Sequence, residues 1–211
     1  MEKRHIILTG PIRSGSTWLT DMLSENVDPG LAEFGHEDFS RDYPGTLKRW
    51  SRGKPKIYGT VGHDHMFFPM LEEAFKPTWV FMWREPLQLI ESIFRWVSRN
   101  KKREPRTDEI YMRAFTIYSG LEVALAAAAR RGADVSHWHF SHYTTRDGFV
   151  HLAEFLKLPL RSNLVMVDSK NSSPKLYVKA SRWPKTARQY IYSFVESLPN
   201  VWAAYNGAKK G

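Results

Sequence analysis

Residues 5–18 read His-Ile-Ile-Leu-Thr-Gly-Pro-Ile-Arg-Ser-Gly-Ser-Thr-Trp, an apolar run that leads through a loop into a helical pattern. Gly10 and Gly15 allow the loop backbone to turn so that several N–H groups face one point. The helix that follows adds the partial positive charge of its N-terminus. The stretch therefore predicts a strand at 5–9, a helix at 16–26 and, between them, a loop that binds an oxyanion.

The spacing of this loop is that of a P-loop, Gly-x-x-x-x-Gly-x-Thr, with one important difference. Ser16 stands where a nucleoside triphosphatase carries lysine. The nearest cation is instead Arg13, inside the loop, and no predicted strand ends in the aspartate expected to bind magnesium. These differences disfavour an ATP- or GTP-dependent kinase and indicate another phosphate-bearing donor.

A second strand–loop–helix unit lies downstream. The apolar run 79–83 ends in Arg84-Glu85-Pro86, and the helical pattern that follows contains Ser92. A guanidinium makes forked, charge-assisted hydrogen bonds to a phosphate, and a hydroxyl adds a directional donor. Arg84 and Ser92 therefore predict a second anion site, with a role for Arg84 in holding the sheet together as the alternative.

The two motifs together resemble those of sulfotransferases that use PAPS (3′-phosphoadenosine 5′-phosphosulfate). Residues 13–18 resemble the family's 5′-phosphosulfate loop, and Arg84 with Ser92 resembles its 3′-phosphate site. Cytosolic members commonly carry lysine at the first loop position, whereas Golgi-type and several bacterial members carry arginine, as here. The resemblance implies transfer of a sulfuryl group from PAPS to a hydroxyl or amine of a small-molecule or carbohydrate acceptor, with release of PAP.

The resemblance also implies roles for individual residues. Arg13 would stabilise the leaving PAP as an electrostatic clamp; a salt bridge to a surface acid is the alternative role. Trp18 would stack on adenine, although packing of Trp18 into the core fits the helical pattern nearly as well. The donor-binding set implied in this way is Arg13, Ser14, Gly15, Ser16, Thr17, Trp18, Arg84 and Ser92.

The base that takes a proton from the acceptor has three candidates. Glu37 lies in a segment that resembles the Gly-x-x-Glu-Phe/Tyr-Phe region of bacterial trehalose-type sulfotransferases, although the match breaks at His36 and Asp38. His63 and His65 follow the predicted strand 56–61, where cytosolic sulfotransferases place a catalytic histidine. A His-x-His pair also suits a metal, but no third ligand is evident and the family needs none, so no metal is predicted.

The C-terminal third departs from the family pattern. Cytosolic sulfotransferases have a late Arg-Lys-Gly segment that closes over the 3′-phosphate, and this chain has no such run. Residues 143–158 resemble the family only loosely, as a Tyr-containing turn followed by an amphipathic helix, and support the fold more than the site. The basic residues that could replace the missing segment are Lys179, Arg182, Lys185 and Arg188.

Composition sets bounds on the function. Lys and Arg number 31 against 22 acidic residues, a net charge of +9, which suits a polyanionic donor. Nucleic-acid binding is the alternative, but no helix-turn-helix, zinc-finger or RNA-binding signature accompanies the charge. The chain has no cysteine, which excludes disulfides and cysteine-based zinc sites. With a strand starting by residue 5, we expect no signal peptide or membrane anchor and a cytoplasmic location.

Strands alternate with helices along the chain. The 211 residues predict one α/β domain of three layers, P-loop-like, with a central, mostly parallel sheet flanked by helices. A protein that binds PAP without catalysis fits the same pattern and is kept as an alternative. Beyond the elements above, we predict a polar loop at 27–55, helices near 66–75 and at 86–100, 107–131 and 146–157, and a strand at 135–140.

Overall fold

Two strands in which every residue is buried form the centre of the fold, β1 (Ile6–Thr9) and β4 (Thr78–Trp83). They pair in parallel, with Ile6 opposite Thr78 and Thr9 opposite Phe81. A parallel strand that helices cover on both faces needs a nearly continuous apolar sequence, and both strands have one. The two motifs found in the sequence therefore leave neighbouring strands of one sheet.

A computed structural model describes residues 4–37, 42–60, 68–97, 105–166 and 180–210. Three further strands complete the sheet: β2 (Glu33–Glu37), β3 (Lys56–Thr60) and β5 (Val135–His139). The helices are α1 (Ser16–Asn26), α2 (Tyr43–Trp50), α3 (Phe68–Phe75), α4 (Pro86–Val97), α5 (Thr107–Arg131), α6 (Phe140–Tyr143), α7 (Arg146–Phe155), α8 (Lys185–Glu196) and α9 (Pro199–Lys210).

The sheet has the order β2-β3-β1-β4-β5, and every pairing in it is parallel. Alternation along each strand sends side chains to two separate cores. Ile7, Trp79 and Phe81 pack into a core with residues of α4, α5, α8 and α9. Leu8 and Val80 face the other way, toward α1 and α7. The predicted three-layer α/β fold with a parallel sheet is confirmed.

Several predicted boundaries agree with the structure, and one prediction is wrong. The helices at 16–26 and 107–131 are found as predicted. The segment 27–55 is not a polar loop, because it contains β2 and α2. The strand was missed because its sequence, Glu-Phe-Gly-His-Glu, is mostly polar. An edge strand takes its hydrogen bonds from one neighbour and needs no continuous apolar run.

Smaller differences concern the ends of elements. The strand predicted at 56–61 is described as far as Thr60, and residue 61 lies outside the described residues. The strand predicted at 135–140 ends at His139, and the helix predicted at 146–157 ends at Phe155. The helix predicted at 86–100 is described as far as Val97. The first residues of the helix predicted near 66–75 lie outside the described residues.

The C-terminal helices complete one face of the sheet. Helices α8 and α9 pack against α5 through residues such as Ile191 and Val201, which are buried in the larger core. A buried Trp183 precedes α8 and meets Phe94 of α4 at a ring distance of 5.7 Å, edge to face. None of the described helices combines the length and the apolar character that a membrane span requires.

The parallel arrangement brings the carboxyl ends of all five strands to one edge of the sheet. Loops that leave β1 and β4 at this edge begin at Gly10 and Arg84. In open α/β sheets, ligands bind outside the carboxyl ends of the strands, where strand order reverses. The order here reverses at β1, because β3 lies on one side of it and β4 on the other. This edge is therefore where a ligand site is expected.

Candidate functional site

The loop between β1 and α1 has an unusual backbone. Three of its residues have positive φ angles: Gly10 at 145°, Arg13 at 71° and Gly15 at 111°. A Cβ on Gly10 would lie 2.4 Å from the Met82 carbonyl oxygen, so only glycine lets the loop pass this close to β4. The loop then turns tightly, with the Ser14 N–H bonded to the Pro11 carbonyl at 2.9 Å.

Gly15 joins this loop to α1. It is the N-cap residue in a left-handed conformation, and no side chain caps the helix there. The positive end of α1 therefore faces the concave side of the loop, beside the exposed side chain of Arg13. Ser16 and Thr17 are the first two helical residues, and Thr17 is exposed. This geometry suits an anionic ligand, as the glycine spacing predicted.

The structure brings residues of both sequence motifs into contact. Arg13 Nε donates a hydrogen bond of 3.4 Å to Ser92 Oγ on α4, although 79 positions separate the two residues. Arg84, at the end of β4, is close enough to Arg13 that their charges interact. Arg13, Arg84 and Ser92 therefore form one cationic cluster at the carboxyl edge of the sheet.

Arg84 is held in an environment that disfavours its own charge. Burial is the main cause that lowers the pKa of Arg84, and the neighbouring cations Arg13 and Arg95 lower it further. The guanidinium still keeps its proton at any physiological pH. Its Nε is buried and finds no hydrogen-bond acceptor within the described residues. Such an arrangement is stabilised by an anion, which would offset the repulsion and accept hydrogen bonds.

The short helix α6 supports both parts of the cluster. Phe140 lies beneath Arg84, with the guanidinium carbon 4.8 Å from the ring centroid, a cation–π contact. Tyr143 is fully buried and donates its hydroxyl proton to the Ser14 carbonyl. A Cβ on Gly15 would lie 2.9 Å from the Tyr143 hydroxyl and 3.1 Å from Phe140, so α6 packs directly against the loop.

Sequence reasoning assigned Tyr143 to the fold and passed over Phe140. In the structure Tyr143 contacts the loop, and Phe140 contacts both the loop and Arg84. The Tyr143 hydroxyl remains protonated, since burial raises the pKa of Tyr143 far above its ordinary range, with only partial opposition from Arg84. It therefore acts as a permanent donor to the loop backbone. No local pattern in the sequence shows this contact, which spans 129 positions.

We expect Tyr143→Phe to lower the free energy of unfolding, because it removes a hydrogen bond that holds the loop. The substitution removes the donor to the buried Ser14 carbonyl, and an unsatisfied buried acceptor costs about 1–3 kcal/mol of unfolding free energy. Urea denaturation measures this loss. Tyr190→Phe is the matched control, because the Tyr190 ring packs on Tyr111 and Phe194 while its hydroxyl bonds to no described residue. Equal stability of the two variants would contradict a supporting role for Tyr143.

Trp18 lies on α1 next to this support. Its ring is 6.1 Å from that of Tyr143, and it packs, partly buried, against the core on the α1 side of the sheet. Core packing of Trp18 is therefore observed. Because part of the ring stays accessible, stacking on adenine remains compatible with this position and stays a prediction.

The candidate bases lie at or beyond the ends of β2 and β3. Glu37 is the last residue of β2, but its side chain is outside the described part of the structure, as are His63 and His65. The structure adds His36, which stands opposite Gly59 in the register of β2 and β3. A Cβ on Gly59 would lie 2.6 Å from the imidazole, so the glycine makes room for this ring.

His36 lies between this edge of the sheet and α1. Burial is the main cause that lowers the pKa of His36, against the opposing effects of Asp21 and the backbone of Gly59 and Thr17. Burial thus favours the neutral ring, which lies beside Thr17, a residue of the predicted donor site. In the sequence, His36 stands out only as a break in the family pattern, because its position next to Thr17 depends on how β2 packs on α1.

The basic C-terminal segment is brought to α4, the helix that carries Ser92. The Ala180 N–H donates to Glu91 on α4 at 3.2 Å, and Glu91 is also paired with Arg95. Of the four candidate cations, Arg182 and Lys185 are exposed, Arg188 has a buried Nε without a partner among the described residues, and Lys179 is outside them. Which of the four meets the 3′-phosphate stays a prediction.

Within the described ranges, no group of three or more His, Asp or Glu side chains is placed to hold a metal ion. The cluster that the structure does assemble is cationic and hydroxyl-rich. Its residue types suit a ligand with phosphate or sulfate groups.

Comparisons with known proteins agree with this description of the fold. No protein-family model and no curated protein sequence matches the chain. Among solved structures, mouse sulfotransferase SULT7A1 complexed with PAP superimposes with a TM-score of 0.67 at 10% identity, covering 99% of this chain and 90% of that chain. A sulfotransferase from Alicyclobacillus acidocaldarius gives 0.59 at 12% identity, covering 98% and 97%. The chain therefore has the sulfotransferase fold, as the resemblance of its motifs predicted.

Proposed function

We propose that this protein is a PAPS-dependent sulfotransferase. The observation that carries the proposal is the convergence of Arg13, Arg84 and Ser92 at one edge of a sulfotransferase-like sheet. Arg84 Nε is buried and has no partner among the described residues, so a phosphate would supply the missing acceptor. The glycine-bearing loop would hold the second phosphate of the same donor. Binding of PAP by the structural neighbour SULT7A1 supports the same donor.

In this proposal the donor supplies the sulfuryl group, and the protein positions it. The loop amides with Ser16 and Thr17 hold the 5′-phosphosulfate, and Arg84 with Ser92 holds the 3′-phosphate. Arg13 lies between the two groups, where its charge stabilises negative charge that develops on the leaving oxygen. It cannot serve as a general acid, because a guanidinium does not lose its proton at ordinary pH.

A thermal-shift experiment with PAP, ATP and a DNA oligomer tests the donor. A ligand that binds only the folded state raises the melting temperature. We therefore expect PAP to raise it more than ATP or the DNA oligomer does. An equal or larger stabilisation by ATP would indicate a kinase-like protein. An equal or larger stabilisation by the DNA oligomer would indicate a nucleic-acid-binding protein. Sulfate transfer from radiolabelled PAPS to a panel of sugars, phenols and amines then separates an enzyme from a protein that only binds PAP.

The acceptor is a small molecule or carbohydrate in this proposal, and the compartment is the cytoplasm. The acceptor site would lie at the ends of β2 and β3, since the donor site occupies the ends of β1 and β4.

Single substitutions identify the base once an acceptor is known. Glu37→Gln, His63→Ala, His65→Ala and His36→Asn are compared for turnover and for PAP affinity. The variant that lacks the base is expected to lose about 10²-fold in turnover and to keep its PAP affinity, because proton transfer contributes to the transition state and not to donor binding. His151→Ala on the exposed surface of α7 is the control. Full activity in all four variants would place the base elsewhere.

A further inference from the structure

A cavity of about 360 Å³ opens between α5, β5 and α9, away from the loops that carry the proposed donor site. It exists because small side chains meet where the two helices pack against the sheet. The lining is mostly apolar, with Leu125, Ala128, Val135, Ala203 and Ala204 among its residues. Its volume falls within the range of about 300–1,000 Å³ seen for small-molecule sites.

His137 of β5 is the titratable group in this lining. The Trp83 indole N–H donates to His137 Nδ1 at 3.1 Å. An indole nitrogen can only donate, so Nδ1 must be the unprotonated nitrogen of the ring. Burial lowers the pKa of His137 to about 4, which keeps the ring neutral. The single ring proton therefore resides on Nε2.

His137 is one of the residues that line this cavity. His137 Nδ1 accepts a hydrogen bond from Trp83, and Nε2–H makes none to the described residues. Nε2 is also absent from the polar atoms that are buried without a partner, so it is accessible. The other polar side chain in the lining, Asn200, is tied to Glu122 through its amide nitrogen at 2.6 Å. The cavity therefore combines apolar walls with one fixed donor.

We propose that this cavity binds a small, mainly apolar molecule that carries one hydrogen-bond acceptor, received by His137 Nε2–H. Binding would remove the apolar surface of the ligand and of the cavity walls from water, which favours the complex. The hydrogen bond to His137 would set the orientation of the ligand. A cationic ligand is disfavoured, because no carboxylate of the described residues lines the cavity. This site is independent of the proposed sulfotransferase reaction.

A matched pair of probes tests the site. Acetophenone and cumene have nearly the same shape, but only acetophenone has a carbonyl acceptor. Titration followed in ¹H–¹⁵N spectra is expected to give saturable shifts at the lining residues, with an acetophenone dissociation constant of about a millimolar for so small a ligand. Cumene is expected to bind about 2- to 10-fold more weakly, the worth of one net hydrogen bond.

Three variants separate the effect of the apolar walls from that of the donor. Ala203→Leu fills the exposed rim of the cavity and is expected to abolish the shifts of both probes. Gly207→Leu, which adds the same side chain to α9 where nothing lies within 4 Å, is expected to leave them unchanged. His137→Asn keeps an acceptor near the Nδ1 position for Trp83 but removes Nε2–H, so the preference for acetophenone should disappear.

Several outcomes would overturn the proposal. These are no saturable shift at the solubility limit of acetophenone, equal affinity for the two probes in the wild-type protein, and equal effects of Ala203→Leu and Gly207→Leu. Shifts of the lining residues that change with protein concentration alone would show instead that a second copy of the chain covers this face. If His137→Asn fails to fold, the comparison of the two leucine variants still decides.

Discussion

Replacing Arg84 with alanine is expected to weaken PAP binding by about 2–5 kcal/mol, the usual cost of truncating one partner of a buried, charge-assisted contact. The structure supports a large effect because the Arg84 guanidinium is already desolvated and its Nε lacks a partner within the described residues. The guanidinium is therefore already desolvated in the free protein, and the ligand adds the missing hydrogen-bond acceptor without a further desolvation cost on Arg84.

The ligand itself supplies the control. Adenosine 5′-phosphosulfate lacks the 3′-phosphate, so its affinity should change much less when Arg84 is removed. Isothermal titration of both ligands gives the two losses directly. Ser92→Ala should act in the same direction but more weakly, since a neutral hydroxyl contributes less than a guanidinium. Equal losses for the two ligands, together with a lower melting temperature, would assign Arg84 to the stability of the sheet instead.

Replacing Arg13 with alanine is expected to lower sulfate transfer by about 10²–10³-fold, the typical cost of losing one preorganised transition-state donor. PAP affinity should fall only modestly. Arg13 and Arg84 repel each other in the free protein, so removing Arg13 relieves part of the strain on Arg84 while it removes an attraction for the ligand. The loss should therefore appear in turnover more than in binding.

Backbone strain at position 13 needs its own control. Arg13 has a φ of 71°, a conformation that alanine also adopts at a cost and glycine adopts freely. Arg13→Gly should lose transfer as Arg13→Ala does, if the side chain is what matters. Arg13→Lys should retain much of it, because a cation remains in the loop. Transfer at a near wild-type rate in the alanine variant would show that Arg13 is not the clamp.

Local patterns were enough to locate the strands β1 and β4 and the helices α1 and α5. Each has a periodicity or an end signal within its own sequence, such as the Gly132 that ends α5 in a left-handed conformation. The segment 27–55 could not be resolved in the same way. Strand β2 has two apolar or glycine positions among charged ones, and its strand character comes from pairing with β3.

The candidate site shows the same division. Glycine spacing identified the loop at 10–15, and an arginine after an apolar strand identified Arg84. The support from Phe140 and Tyr143, the position of His36 over Gly59, and the cavity beside His137 were not predicted. Each depends on contacts between elements that are distant in the chain, such as the hydrogen bond from Tyr143 to Ser14.

Local patterns in the sequence are sufficient to identify two strand–loop–helix units, each with a cation after the strand and a hydroxyl in the following loop or helix. Hydrophobic periodicity and glycine placement are local properties, so they can be read without knowing the neighbours. That the two units are adjacent depends on the tertiary structure, in which β1 pairs directly with β4. That pairing depends on packing across some 70 intervening residues, and it is what brings Arg13 within hydrogen-bond reach of Ser92.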